Sequence, residues 1–160
     1  MSFQSNLSIP TEFREYDKDE IRTQYAALCY RVVRDKPQVL LITSLDSGRW
    51  IIPKGWLMRD KNASEAAVVE AWEEAGVRPG RISRQPVGSY VYDKIKSSGL
   101  PVTVETLVFA VEVRALEDSF PEAGQRERRW LDPAEAAERV REPGLRQILL
   151  EFEADTRRAR

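Results

Sequence analysis

The sequence predicts one mixed α/β domain, and three observations lead there. Apolar β-rich segments alternate with helical ones, no linker long enough to divide domains interrupts them, and 160 residues with 42% hydrophobic content suffice for one core. Residues 1–20 are polar and mixed in charge and read as an amino-terminal arm, which leaves 21–160 as the domain. YAALCYRVV and QVLLIT, separated by the turn-forming RDKP, predict a hairpin from about Tyr25 to Thr43. RWIIP predicts a short strand that Pro53 stops. Asn62 followed by Glu65 is a capping pair, and Gly76 suits a left-handed closing residue, so a helix is predicted over 62–75, with VRPG closing it. SRQPVGSYVYDKI, LPVTVETLVFAVEVRAL and RERRWL predict three more strands. DPAEAAERVRE predicts a second helix, with Asp132 as N-cap, Pro133 at the first helical position and Glu135 completing a capping box. GLRQILLEFEADTRRAR predicts a third, amphipathic one.

Composition excludes several classes of function. With 25 basic and 26 acidic residues the formal charge is -1, so no global field draws the chain to nucleic acid or a membrane, and neither is expected as a partner. No apolar run approaches the roughly 20 residues of a membrane span, and MSFQSNLSIPTEF lacks the layout of a signal peptide; the expected location is cytoplasmic. Cys29, the single cysteine, lies in the apolar AALCYRVV and reads as a core residue. The absence of histidine removes Ser/His/Asp and Cys/His catalysis together with histidine-ligated zinc. Carboxylates, lysines, hydroxyls or a metal held by oxygen remain.

Glu70, Glu73 and Glu74 crowd one arc of the first helix, apart from the arc of Ala67, Val68, Ala71, Trp72 and Ala75 that suits a core. A solvated acidic face is the ordinary explanation. Against it, like charges at i, i+4 repel, and acids in a last turn oppose the helix dipole. Ala66 on the same arc is small, so the face is expected to be open. An open set of carboxylates on a rigid helix suits a hard divalent cation, which wants oxygen ligands and is completed by substrate phosphates.

GWLMRDKNASEAAVVEAWEEAGV, residues 55–77, resembles the Nudix box, and Gly55, Glu70, Ala71, Glu73, Glu74, Gly76 and Val77 match at its spacing. RWIIPKGW before it and LEDSFPEAGQRERRWLDPAEAAERV after it are similar to the diphosphoinositol polyphosphate phosphohydrolase branch, over about residues 22–141. The resemblance implies an α/β/α sandwich with a mixed central sheet and Mg2+-dependent cleavage of a diphosphate linkage, with Mn2+ as a possible substitute. It implies that Glu70 and Glu74 hold the metal with a main-chain carbonyl of Lys54 or Gly55. Glu73 acts as general base or shares the metal, and Glu70 is a catalytic candidate beside it. A downstream acid is expected to join, with Glu127 and Glu105 as candidates.

Two positions depart from the box: Lys61 replaces its first glutamate and Val69 replaces the arginine that orients the carboxylates. Lys61 is expected to reach the acidic face and restore the missing positive charge. Near the box, Arg49, Lys54, Arg59 and Lys61 are candidate phosphate-binding cations, and similarity to the same branch adds Arg22, Lys94, Lys96 and Arg126. The expected partner is an anionic phosphorylated small molecule, either a diphosphoinositol polyphosphate or a dinucleoside polyphosphate. The alternative is a Nudix-like module that binds or senses such a ligand with little turnover. Monomer and homodimer both fit the terminal amphipathic helix.

Overall fold

Arg34 and Asp35 have φ of 54° and 65°, the pair of positive values that matches a two-residue turn to the twist of its strands, so RDKP does close a hairpin. The computed structural model describes residues 21–95 and 97–158; the arm expected over 1–20 and the candidate Lys96 lie outside the described residues. In chain order the elements are β1 (Ile21–Val33), β2 (Lys36–Thr43), β3 (Trp50–Ile51), β4 (Lys54–Trp56), α1 (Ala63–Ala75) and β5 (Val77–Ile82). They continue as β6 (Gly88–Ile95), β7 (Pro101–Leu116), β8 (Arg128–Leu131), α2 (Pro133–Arg139) and α3 (Pro143–Arg158).

The strands form one sheet with the path β3-β2-β1-β7-β5, to which β4 adds on β1, β6 on β7 and β8 on β2. β1 and β7 run parallel with Leu28 opposite Ala110, whereas the other pairs are antiparallel, so the sheet is mixed. Alternation along β1 divides the core. Ala26 and Leu28 face the layer of α2 and α3, where Ala136, Ala137, Leu145 and Leu149 are buried. Ala27 and Cys29 face α1, which presents Ala67, Ala71 and Ala75. The outcome is the α/β/α sandwich. Cys29 is fully buried, and burial pushes its thiol up to about 12, as suits a packing residue.

The predicted start of α1 is reproduced in detail. The Glu65 N–H donates to Asn62 Oδ1 at 2.9 Å and the Asn62 N–H donates to Glu65 Oε1 at 2.9 Å, while Gly76 closes the helix at φ 71°. Three expectations are corrected. VRPG does more than end the helix: VRPGRI is β5, and the register shifts at Pro79, whose ring cannot donate to a regular ladder. Pro53 stops β3, but strand pairing resumes directly after it, as KGW forms β4 with Tyr25 opposite Gly55. Asp132 precedes α2 without a side-chain capping bond, and Glu135 accepts instead from Arg139 Nη2 at 3.2 Å. Among the described residues no helix is long and apolar enough to cross a membrane.

Because α1 carries the acids, its cap bears on the site. Asn62→Ala should lower the free energy of unfolding by about 1 kcal/mol in urea titration; an unchanged midpoint would show that the cap contributes nothing.

Candidate active site

Ala66, Glu70 and Glu74 recur every four residues and so share one stripe of α1. That stripe does not face open solvent as expected, because Ala66 is fully buried and Glu74 is only 9% exposed. It packs on β4, and the Lys54 N–H donates to Glu74 Oε1 at 3.3 Å. Gly55 is glycine for a steric reason: a Cβ built there would overlap the carboxyl of Glu70. Its backbone lies outside the left-handed region, so space and not torsion makes the demand. Lys54, Gly55, Glu70 and Glu74 therefore meet at one place. Glu73 is half-buried on the neighbouring line, and its carbonyl accepts the Glu122 N–H at 3.0 Å.

Burial and mutual repulsion set the electrostatics of the pair. Burial, followed by the charge of Glu74, pushes the Glu70 carboxyl up to about 8. Burial also raises Glu74, against the opposing pull of Arg126 and the Lys54 amide. Burial draws the Lys54 amine down, partly offset by Glu74. Each carboxyl disfavours charge on the other, so the pair favours a nearby cation.

Arginines from the segment before and within β8 answer the crowded acids. Arg126 Nε donates to Glu122 Oε1 at 2.9 Å, its Nη1 donates to the Thr43 carbonyl at 3.1 Å, and its Nη2 lies 3.7 Å from Glu74 Oε2. Arg128 Nη1 donates to the carbonyls of Ala75 at 2.9 Å and Glu117 at 2.8 Å. α1 has no basic residue in its last turn, so this cation completes its carboxyl end from outside.

A cavity of about 550 Å³ opens beside Glu74. Of the expected cations, Arg49, Lys54, Lys94 and Arg126 line it, and a further one, Arg141, joins them. Arg141 lies between α2 and α3, and no local signal marks it; the isolated parallel bridge of Trp50 to Val140 brings its segment alongside β3. Arg49 Nη1 stands 2.9 Å from Glu142 Oε2, and Glu142 is 6% exposed, so this cation has a buried anchor. Tyr92 donates to Gln24 Oε1 at 2.7 Å and lies beneath the Lys54 amine.

Arg22, Arg59 and Lys61 do not line this cavity. Arg22 is exposed on β1, and Lys61 is exposed with no ion pair to the three glutamates among the described residues; the cation beside Glu74 is Arg126. The two expected downstream acids have these places. Glu127 is held by Arg129 Nη2 at 2.9 Å, and Glu105 sits on β7 opposite Val91. The acid that approaches is Glu122, whose charge also raises Glu70. Its spacing of four from Arg126 was the available sequence signal. Among the described residues no three acidic side chains are close enough to ligate one ion. The donors on offer are the carboxylates of Glu70 and Glu74, with Glu73 to one side.

The family model described as NUDIX domain matches residues 22–152. The chain is 34% identical over 168 residues to "Nudix hydrolase 13, mitochondrial" of Arabidopsis thaliana, an alignment covering 92% of this chain and 82% of that protein. It is 36% identical over 75 residues to diphosphoinositol polyphosphate phosphohydrolase 3-alpha of Homo sapiens, covering 47% of this chain but only 45% of the human protein. The fold is similar to the crystal structure of C. elegans Ap4A hydrolase, with a TM-score of 0.61 at 17% identity, covering 84% of this chain and 98% of that one. It is also similar to the NUDIX domain of Shewanella oneidensis NrtR complexed with ADP ribose, with a TM-score of 0.62 at 13% identity, covering 91% and 99%.

The raised Glu70 carboxyl fixes the sign of a pH dependence. The folded chain holds this proton more tightly than the unfolded one, so the stability it contributes is complete below pH 4.5 and is lost as pH rises toward 8. In chelator, Glu70→Gln should therefore flatten a fall in Tm across that window. If the slope of the native chain and of the variant coincide, the carboxyl does not carry the shift.

Proposed function

This chain belongs to the Nudix hydrolase family, and from that premise we propose that it cleaves a diphosphate linkage in a small molecule carrying several phosphates. The observation that carries the reading is the juxtaposition of the Glu70–Glu74 pair with a cavity lined by Arg49, Lys54, Lys94, Arg126 and Arg141. Three acids, Asp46, Glu74 and Asp93, share that lining, so its balance favours an anion. Diphosphoinositol polyphosphates and dinucleoside polyphosphates are the substrates proposed, the first supported by the partial match to the human phosphohydrolase. Two relatives from Arabidopsis carry "mitochondrial" in their names, so a cytoplasmic location does not transfer from them.

The residues fit a divalent metal. Two carboxylates that repel each other in a half-desolvated place are hard oxygen donors in want of a cation, and Gly55 leaves the space beside them clear. Glu70 and Glu74 would hold Mg2+ or Mn2+ with the carbonyl of Lys54 or Gly55. When bound, the metal supplies positive charge to the diphosphate oxygens, which otherwise repel a nucleophile. The basic side chains of the cavity bind the terminal phosphates and fix the substrate's direction. Glu73, half-buried beside the pair, takes a proton from water as its oxygen bonds to phosphorus and the bridging P–O bond breaks. Lys54 contributes twice, its amide holding Glu74 and its side chain lining the cavity.

A module that binds without turnover is the competing reading, and Val69 is the observation in its favour. Phosphate release would be measured from diphosphoinositol polyphosphates, dinucleoside polyphosphates, ADP-ribose and nucleoside triphosphates, in Mg2+ and in chelator. Turnover should require metal, and Glu73→Gln should lower kcat by about 100-fold or more, the usual scale for a general base. Saturable binding of these compounds with no release from any of them would leave the binding module. Lys94→Ala should raise KM by roughly tenfold, as expected for one lost charge-assisted contact, with kcat nearly kept. An unchanged KM would take Lys94 out of the binding set.

A further inference from the structure

We propose that Arg126 positions Glu74 in this chain and so takes over the task that the box arginine has in the pattern from which Val69 departs. The inference deepens the hydrolase reading and rests on it only for the use to which Glu74 is put.

Val69 lies four residues before Glu73 and five before Glu74, and its branched hydrocarbon side chain can neither pair with nor orient a carboxylate. Glu74 is nevertheless buried, where an acid needs donors. Both of its oxygens are answered from outside the helix: Oε1 accepts the Lys54 N–H at 3.3 Å, and Oε2 faces Arg126 Nη2 at 3.7 Å. Arg126 is itself placed with little freedom. Its side chain is 8% exposed, and its three nitrogens address three different groups: Glu122, the Thr43 carbonyl and Glu74. A planar fork of donors can do this, whereas a single ammonium cannot.

The segment that carries Arg126 is tied to both neighbours of the site. The Thr43 N–H donates to the Glu127 carbonyl at 3.1 Å, and the Glu127 N–H donates to Thr43 Oγ1 at 2.9 Å. On the other side, the Glu122 N–H donates to the Glu73 carbonyl at 3.0 Å. The guanidinium is thus fixed relative to the last turn of α1 before it meets the carboxylate. Lys61, the other cation considered for the role, is exposed and makes no such contact among the described residues. The competing account is that Arg126 only anchors its own loop to β2, for which its contact with Glu74 would be incidental.

The full chain would be titrated with Mn2+ and with Mg2+ by calorimetry, alongside kcat and Tm, for Arg126→Lys, Val69→Arg and the double variant. Arg126→Lys keeps the charge and loses the fork, so the electrostatic repulsion of metal is unchanged and only positioning is lost. It should weaken metal binding and lower kcat by roughly tenfold or more, the scale on which supporting residues of metal sites act. Val69→Arg alone should leave both within about twofold, as for an addition to a role already filled, and should restore most of the loss in the double variant. Native metal affinity and kcat in Arg126→Lys with only Tm lowered would identify a loop anchor and overturn the proposal. So would a gain of about tenfold in Val69→Arg alone, which would show the position vacant; that arm decides the matter even if Arg126→Lys does not fold. Should the native chain hydrolyse nothing, the hydrolase reading fails while the metal titrations still decide the role of Arg126.

Discussion

Two carboxylates held against a strand backbone, with too little water to keep them apart, are the constraint around which this molecule is arranged. Glu70 and Glu74 lie one turn apart on α1, and β4 meets both, Lys54 at Glu74 and Gly55 at Glu70. A solvated pair of glutamates would cost a few tenths of a kcal/mol in repulsion. Desolvation makes the conflict sharper, which is why Glu70 is displaced so far above the ordinary carboxylate range. The lack of a side chain at Gly55 follows from the same crowding, because it leaves room for the Glu70 carboxyl.

The compensation comes from far along the chain. The pairing of β8 with β2 places Ile42 opposite Arg128, and this register carries Arg126 and Arg128 to the carboxyl end of α1. Arg128 donates to the Ala75 carbonyl of the final turn, and Arg126 meets Glu74. A helix with acids and no bases in its last turn is thus completed by cations from a strand. Trp72 against Phe120 adds packing to the same junction, and Arg78 covers the Trp72 ring. The acidic stripe is consequently stiff, a property that a metal or a phosphate would exploit and that an isolated amphipathic helix would lack.

The cavity extends this arrangement rather than standing apart from it. Arg49 is fixed by the buried Glu142, and Lys54 enters from the strand whose amide already holds Glu74. Their side chains come from different elements but converge beside one carboxylate. Convergence of cations that are individually anchored favours a substrate with several negative charges, because each contact then costs little side-chain entropy.

Local signals carried a large part of the fold. The capping box of Asn62 with Glu65, the closing Gly76, the alternation along β1 and the hairpin turn all act within a few residues, so they are legible in the sequence and appear as expected. The matching glycine and glutamates at family spacing likewise identified the helix that carries the site. What the sequence misread was non-local. β5 was hidden by Pro79, tolerated there because the register breaks at that residue. The acidic arc looked open because helix periodicity cannot tell solvent from a strand passing over it. Lys61 looked like the compensating cation because it is near in sequence, whereas Arg126 reaches the site through Thr43, 83 residues away. By itself the sequence determined the helix, its three glutamates and the family they mark. Tertiary structure decided which of those acids are buried, which arginine answers them and which cations face the cavity, because each depends on strand register and desolvation that no short segment encodes.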